Sequence, residues 1–339
     1  MVRQAPANLD LHSKEESEKF YDGRYARQGG FLTSEYMAEW DEGKKQRIFD
    51  LIRKLNLPAA GEALDFGCGS GVLTELIREA LPGYRVYGTD LSHQALDKAR
   101  ERYPQCTFFH TSEAGSSTKK FDFLFTHHVL EHVYDMQAVA AEITRYMQPA
   151  STMLHILPCG NEGSFEYNLC LLRKNGINPE KGGAFFFEDE GHVRRLKTVE
   201  VNNIFSKYNY KLVEDYYSEQ HLGAVNWITQ SNPLLVLKMV NPLYGRNVKA
   251  KMELLKVGVL LVGLNLLRMP ITLTKRINLS QHKGWKPYLL YAASLLLYPL
   301  AYPIDRYVRQ AAAAEWRTRQ KEGNGSEMYL VYSRAGSDA

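Results

Sequence analysis

The chain is 339 residues long, 45% hydrophobic and 24% charged, with a net charge of +4. That is ordinary for a globular protein large enough for one elaborated domain or for two. Met1 to Lys19 is polar with no apolar h-region, which argues against a secretory signal. The four cysteines (Cys68, Cys106, Cys159, Cys170) show neither a C-x-x-C pair nor metal-ligand spacing, so reduced cytosolic thiols are expected and no metal site is predicted from them.

In chain order, residues 13–57 read as helical. Phe20-Tyr21-Asp22-Gly23-Arg24-Tyr25 precedes Gly29-Gly30 and a helical pattern from Glu35 to Leu55. Next comes Ala63-Leu-Asp65-Phe-Gly67-Cys68-Gly69-Ser-Gly71, a short apolar run that opens into three glycines at alternate positions and then a helical run from Val72 to Ala80. Such glycines let a strand turn sharply into a helix and let a ligand approach bare backbone. Nineteen residues beyond Gly71, at the end of a second apolar run, stands Asp90, followed by Leu91. An acid there is placed to accept hydrogen bonds from a ribose diol.

A dinucleotide fingerprint needs G-x-G-x-x-G, and the spacing here, D-x-G-x-G-x-G, fails it from either Gly67 or Gly69. Strands are predicted near 62–66, 84–89, 106–110, 121–126 and 152–157, with helices near 71–80, 92–102 and 135–147. Alternation on this scale argues a parallel sheet with helices on both faces. Ligands in such sheets bind at the carboxyl ends of strands. Gly67–Gly71, Asp90, Ser112-Glu113, His127-His128 and Pro158–Asn161 are therefore expected to converge on one crevice.

The glycine motif, Asp90 and the post-strand run His127-His128-Val-Leu-Glu131-His132-Val together resemble the class I S-adenosylmethionine (SAM)-dependent methyltransferases over about residues 20–215. The resemblance implies a Rossmann-like α/β fold: a seven-stranded, mostly parallel sheet with an N-terminal helical lid. It places Tyr21, Tyr25, Asp65, Gly67, Cys68, Gly69, Gly71, Asp90, Leu91, Ser112, Glu113 and His127 around the cofactor SAM. The chain departs from the family where an acid commonly follows the third strand near the adenine. Here it reads His110-Thr111-Ser112-Glu113, which leaves Glu113 or a backbone amide for that contact.

Methyl transfer needs a nucleophile held in line with the methyl and, for an oxygen nucleophile, a base. His128 and His192 are the candidate catalytic residues, since histidine titrates near neutrality. His132, four residues after His128, shares its face if that turn is helical. A metal held by Glu131, His132 and His192 is the less favoured alternative. The run around Glu190-Gly-His192-Val-Arg194-Arg195, a helix at 198–208 and a strand at 211–217 resemble the ubiquinone-pathway O-methyltransferases and their relatives. Phe185-Phe186-Phe187 suits either a carbocation-stabilising aromatic wall or a core.

The final strand of such a fold is then due, yet the next convincing one is Glu327–Ser333, after roughly 110 inserted residues. Between Asn241 and Lys286 there are nine Lys/Arg against the single acid Glu253, a net +8, so the remainder carries −4. The insertion holds two apolar segments, Val257–Leu267 and Pro287–Ile304. The first is too short to span a bilayer, which needs ~20 residues. The second carries three prolines and four tyrosines along one edge and suits an interfacial amphipathic helix interrupted near Pro299. Basic residues interleaved with aliphatic rather than stacking aromatic side chains argue against nucleic acid.

The expected organisation is a lid (1–57), a SAM-binding core (58–222), a basic and apolar helical insertion (223–325) and the last strand with its tail (326–339). The expected activity is methylation of a lipophilic small molecule, of prenyl, quinone-like or lipid-like character, by a cytoplasmic protein docked peripherally on a membrane through about 245–305. Two alternatives stay open. One is a soluble metabolite as acceptor, with the insertion forming a homo-oligomer. The other is a non-catalytic SAM-binding membrane adaptor.

Overall fold

A computed structural model describes residues 14–26, 42–113, 119–188, 191–277, 279 and 284–334. Gly29-Gly30 and the start of the helix expected from Glu35 lie outside the described residues. Two helices, α1 (Lys14–Ala26) and α2 (Glu42–Lys54), precede β1 (Gly61–Phe66). Then follow α3 (Val72–Ala80), β2 (Tyr84–Asp90), α4 (His93–Arg102), β3 (Thr107–His110), β4 (Phe121–His127), α5 (Met136–Arg145) and β5 (Met147–Pro158). The apolar runs in β1 and β4 are buried on both faces, as strands covered by crossover helices must be. Two of the crossover helices start where a side chain satisfies a free amide: Ser92 Oγ accepts from Ala95 N at 3.2 Å at the start of α4, and Asp135 Oδ1 from Ala138 N at 2.9 Å at the start of α5.

Beyond β5 come α6 (Phe165–Leu171), a small hairpin of β6 (Ile177–Asn178) and β7 (Ala184–Phe185), α7 (Thr198–Phe205) and β8 (Tyr210–Ser218). The helix α6 and the hairpin carry no sequence signal strong enough to have been expected. The insertion then contributes α8 (Leu222–Ile228), α9 (Pro233–Met239) and the long pair α10 (Val248–Arg276) and α11 (Trp285–Arg319), before the chain returns as β9 (Glu327–Arg334).

The main sheet has seven strands in the order β3-β2-β1-β4-β5-β9-β8. The pairs among β1 to β5 are parallel, and β9 runs antiparallel between β5 and β8. This topology is the Rossmann-like arrangement expected from the sequence. Direction has a consequence for β9. The register pairs Glu327 with Pro158 and with Ser218, the last residues of β5 and β8. The first residue of an antiparallel strand thus lies at the carboxyl ends of its neighbours, where ligands bind.

One apolar layer around Leu64, Phe121, Met153 and Phe205 covers one face of the sheet, and another around Ile52, Leu73, Phe123 and Tyr329 covers the other. A third cluster, including Leu169, Ile228, Met239, Leu254 and Leu261, joins α6 to the insertion. Arg268 of α10 is fully buried. It donates to Asp305 Oδ1 of α11 through Nε (3.0 Å) and Nη2 (2.8 Å), and to the Asn226 carbonyl of α8 at 2.9 Å. Glu315 of α11 accepts from the amides of His221, Leu222 and Gly223, which satisfies the start of α8. These bonds tie α10 and α11 to α8 within the insertion, and α8 in turn reaches α6 through Trp227, which donates to Glu166 at 2.7 Å.

One expectation fails. α11 runs without a break through Pro299 and Pro303, whereas the sequence suggested an interruption near Pro299. Each proline removes one i→i−4 bond, but both sit on the exposed side. Leu295 and Pro299, whose carbonyls are freed, are exposed too, so water can satisfy those carbonyls and the helix survives.

Candidate active site

The glycine loop follows β1 with Gly67, Gly69 and Gly71 all at positive φ (77°, 51° and 83°). A Cβ on Gly67 would lie 2.4 Å from Val129 Cγ2, and one on Gly69 2.5 Å from the Tyr25 hydroxyl. Only bare backbone fits, which keeps a shallow cradle beside the loop. Asp90, at the end of β2, accepts from Gly69 N through Oδ2 and from Ser92 N through Oδ1, both at 2.8 Å. Burial raises its pKa, and those amides pull it back. Its carboxylate is fixed at the loop, with acceptor capacity left for a diol.

Asp65 has a different task. It is buried, accepts from Thr74 Oγ1 of α3 at 2.7 Å, and burial raises its pKa to about 7. It ties the loop to α3 through Thr74. Cys68 donates no stronger contact than 3.7 Å to Gly69 O, and its buried thiol is pushed up by desolvation. Beside β3, His110 Nε2 meets Leu91 O at 2.9 Å and Nδ1 meets Ser112 Oγ at 2.6 Å, while Glu113 Oε1 accepts from His110 N at 3.3 Å. Leu91, Ser112 and Glu113 thus gather around His110, which stacks on His93 at 4.0 Å.

α1 closes over this end. Asp22 Oδ1 accepts from Ser92 Oγ at 2.6 Å, and Lys98 Nζ donates to the Tyr25 carbonyl at 2.8 Å. The hydroxyl of Tyr25 reaches Gly69, and the ring of Tyr21 stands edge-on to His132 at 5.7 Å.

The other half of the crevice is built from charged side chains. His128 adopts φ 53°, rare outside glycine and asparagine, with its amide donating to Ile156 O at 2.9 Å. Its Nδ1 lies 2.9 Å from Glu131 Oε1, and its Nε2 lies 3.0 Å from Glu327 Oε1. Burial and Lys44 oppose charge on that ring, but the two carboxylates outweigh them and raise its pKa. Lys44, itself buried, pairs with Glu327. Glu131 is inaccessible to solvent; despite burial, the neighbouring histidines, His128 foremost, hold its carboxyl near 2. His127, in contrast, is buried against Phe125 and kept neutral: desolvation, with Lys44 nearby, pushes its pKa well down.

His132 is not on a shared helix face with His128, because a single 3-10 turn (Leu130–His132) follows rather than a helix. Its Nδ1 meets Gly191 O at 2.9 Å, its ring stands edge-on to His192 at 4.6 Å, and burial lowers its pKa to about 4. His192 Nδ1 lies 3.2 Å from Glu188 Oε2, and its Nε2 lies 4.0 Å from Glu131 Oε1. Glu188 is paired with Arg195, whose Nε donates to Cys159 O at 2.7 Å and whose Nη2 donates to Ser326 O at 2.8 Å and Glu166 Oε2 at 3.2 Å. Trp227 of α8 donates to the same Glu166 at 2.7 Å. The Phe185 ring lies under the Arg195 guanidinium at 3.8 Å, so this phenylalanine serves the ionic cluster.

His128, Glu131 and His192 present one ligand atom each, all within 4.8 Å of one another. Such a donor set suits a divalent ion, with His128 in the place the sequence gave to His132. The raised pKa of His128 already lets it supply the positive charge Glu131 requires.

Reasoning from sequence missed Lys44, Glu188, Arg195 and Glu327. Glu188 and His192 stand four apart, a spacing that could have been noticed. Nothing near Lys44 or Glu327 in the chain signals their meeting, 283 residues apart.

Residues 37–215, just over half of the chain, match the model of a methyltransferase domain family. The chain belongs to the class I SAM-dependent methyltransferases, and its cofactor is SAM. Among curated proteins it is 28% identical over 136 residues to trans-aconitate 2-methyltransferase of Variovorax paradoxus, covering 37% of this chain and 52% of that one. It is 35% identical over 131 residues to the ubiquinone biosynthesis O-methyltransferase of Methylococcus capsulatus, covering 34% and 54%. The chain thus spans about half the length of these relatives. Among solved structures it is similar to magnesium protoporphyrin IX methyltransferase from Synechocystis with bound SAH, at 20% identity and a TM-score of 0.42 over 60% of this chain and 92% of that one. The glycine cradle, Asp90 and the Tyr25 cover fit SAM: the loop offers backbone without phosphate-binding charge, and Asp90 keeps acceptor capacity that a diol can use.

Proposed function

We propose that the protein methylates a hydroxyl of a lipophilic small molecule, of prenyl, quinone-like or lipid-like character, at a membrane surface. SAM supplies an electrophilic methyl. Gly67, Gly69, Gly71 and Asp90 hold and orient it, with Tyr21 and Tyr25 excluding water above. His192 is the base. Its Nδ1 is engaged by Glu188, which fixes the ring and leaves Nε2 to take the acceptor's proton. His128 has both ring nitrogens against carboxylates; it holds Glu131 and Glu327 in place rather than accepting a proton.

The observation that carries the lipophilic acceptor is the insertion. Two long helices expose leucines and tyrosines to solvent, and the same insertion touches the site through Trp227. On this reading the protein is cytoplasmic and peripherally membrane-bound. The trans-aconitate methyltransferase relatives favour a second reading, in which the acceptor is a small carboxylic acid and the insertion joins copies of the chain.

The test is transfer of labelled methyl from SAM in the presence of a bacterial lipid extract or of a panel of small di- and tricarboxylic acids. Label partitioning into the organic phase is the expected result. Label transferred only to water-soluble acids overturns the lipophilic reading, and transfer to neither overturns both.

A further inference from the structure

The membrane reading leaves open how the long helices would meet a bilayer. We infer that α11 lies flat in the headgroup–acyl boundary of an anionic membrane, along one face, and does not insert tip-first. The inference rests on the membrane reading above.

Trp285, Leu289, Leu296, Leu300 and Tyr307 are exposed by 69, 60, 80, 73 and 73%. At about 100° per residue these five fall within roughly 60° of the helix circumference. They span ~33 Å at 1.5 Å per residue. The buried positions, Ser294, Ala301, Asp305 and Ala312 among them, occupy the opposite side, against α10 and the core. An aromatic stands at each end of the stripe with leucines between, the pattern of interfacial helices.

Three observations select the flat orientation. First, Lys275 and Lys286 are exposed near the outer end of the helix pair. Tip-first entry drags them through hydrocarbon, whereas a helix in the plane keeps them at headgroup depth. Second, Pro299 and Pro303 free the carbonyls of Leu295 and Pro299 within the apolar stretch. Water and headgroups satisfy those carbonyls at the interface; the bilayer core cannot. Third, Arg306 flanks the stripe towards its inner end and is exposed, so cations border the apolar face at both ends.

Charge also decides the occupant. Between Asn241 and Lys286, Arg246, Lys249, Lys251, Lys256, Lys275 and Lys286 are exposed against the single acid Glu253, while Arg268 is buried and paired with Asp305. A second copy of the chain would bring the same excess and be repelled, whereas anionic lipid is attracted.

The four native cysteines are buried, so the full-length protein can carry one introduced cysteine at 285, 289, 296, 300 or 307, labelled with an environment-sensitive dye. Vesicles of phosphatidylcholine with phosphatidylserine, containing quenchers at known depths, then report the depth of each position. Equal, shallow depth at all five is the expected outcome. Depth that increases steadily from 307 to 285 means tip-first entry and overturns the inference while the membrane reading survives. Absence of any change with vesicles removes both. A change that follows protein concentration without vesicles assigns the stripe to self-association and likewise overturns it. The double substitution Leu296→Glu with Leu300→Glu should weaken vesicle binding by about tenfold per leucine, with SAM binding unchanged.

Discussion

The two halves of the crevice are built on opposite principles. The cofactor half is made of backbone: three glycines at positive φ, amides aimed at Asp90, and a helix laid across them. The other half, which the proposed function gives to the acceptor, is made of side chains, with Lys44, His128, Glu131, Glu188, His192, Arg195 and Glu327 packed into contact from α2, the loop after β4, the segment before α7 and the start of β9. Backbone gives a surface that one ligand fits and that little can retune. A cluster of buried charges carries several protonation states in a small volume. On the reading proposed above, that difference suits a fixed cofactor beside an acceptor that loses a proton.

The sharpest way to separate the halves is His192→Gln. It should leave the dissociation constant for SAM unchanged and lower kcat ~10²–10⁴-fold, the usual contribution of a general base. His128→Gln should instead lower thermal stability, because Glu131 and Glu327 lose their shared cation. Should His128→Gln abolish turnover at unchanged Tm while His192→Gln is nearly silent, the roles are reversed.

Next in size is Arg195→Met. This guanidinium is buried between Glu188 and Glu166, and removing one partner of a buried ionic group costs ~3–5 kcal/mol. A fall in Tm of about 4–7 °C is expected by calorimetry for a chain of this length. A fall of only a degree or two means that water already reaches the cluster. On the cofactor side, Asp90→Ala should raise the SAM dissociation constant ~100-fold, as two charge-assisted amide contacts and the diol acceptor disappear together. Titration calorimetry giving unchanged affinity removes Asp90 from the site.

The same contrast explains what could be read from the chain. Gly67, Gly69, Gly71 and Asp90 lie within two adjoining strand–loop units, so their spacing carries their geometry. The alternation of apolar runs likewise carries most of the sheet, including the late return of Glu327–Ser333. Lys44 and Glu327 meet only because β9 runs antiparallel into the carboxyl end of the sheet, a tertiary fact with no local pattern. His128 and His132 looked like neighbours on a helix, but a left-handed residue and one 3-10 turn send them to different partners. The prolines of α11 misled in the other direction, since a helix breaker is tolerated where the freed carbonyl faces outward.

The smallest effect on turnover is expected from Asp65→Asn, and it tests whether the motif's acid braces the loop. Burial raises the carboxyl of Asp65 from 3.8 to about 7. Between those two values the folded chain binds a proton that the unfolded chain has released. Its contribution to stability is therefore complete below about pH 4, declines as pH rises towards 7, and is lost above. Asparagine can still accept from Thr74 Oγ1 but cannot ionise. The difference in Tm between variant and parent should grow by a few degrees in the variant's favour from pH 4 to 7 and then level off. Groups that titrate in both proteins cancel from that difference. A constant difference across the range means that Asp65 is ionised throughout, paired to something beyond Thr74, and the loop at the cofactor half is then held by charge as the acceptor half is.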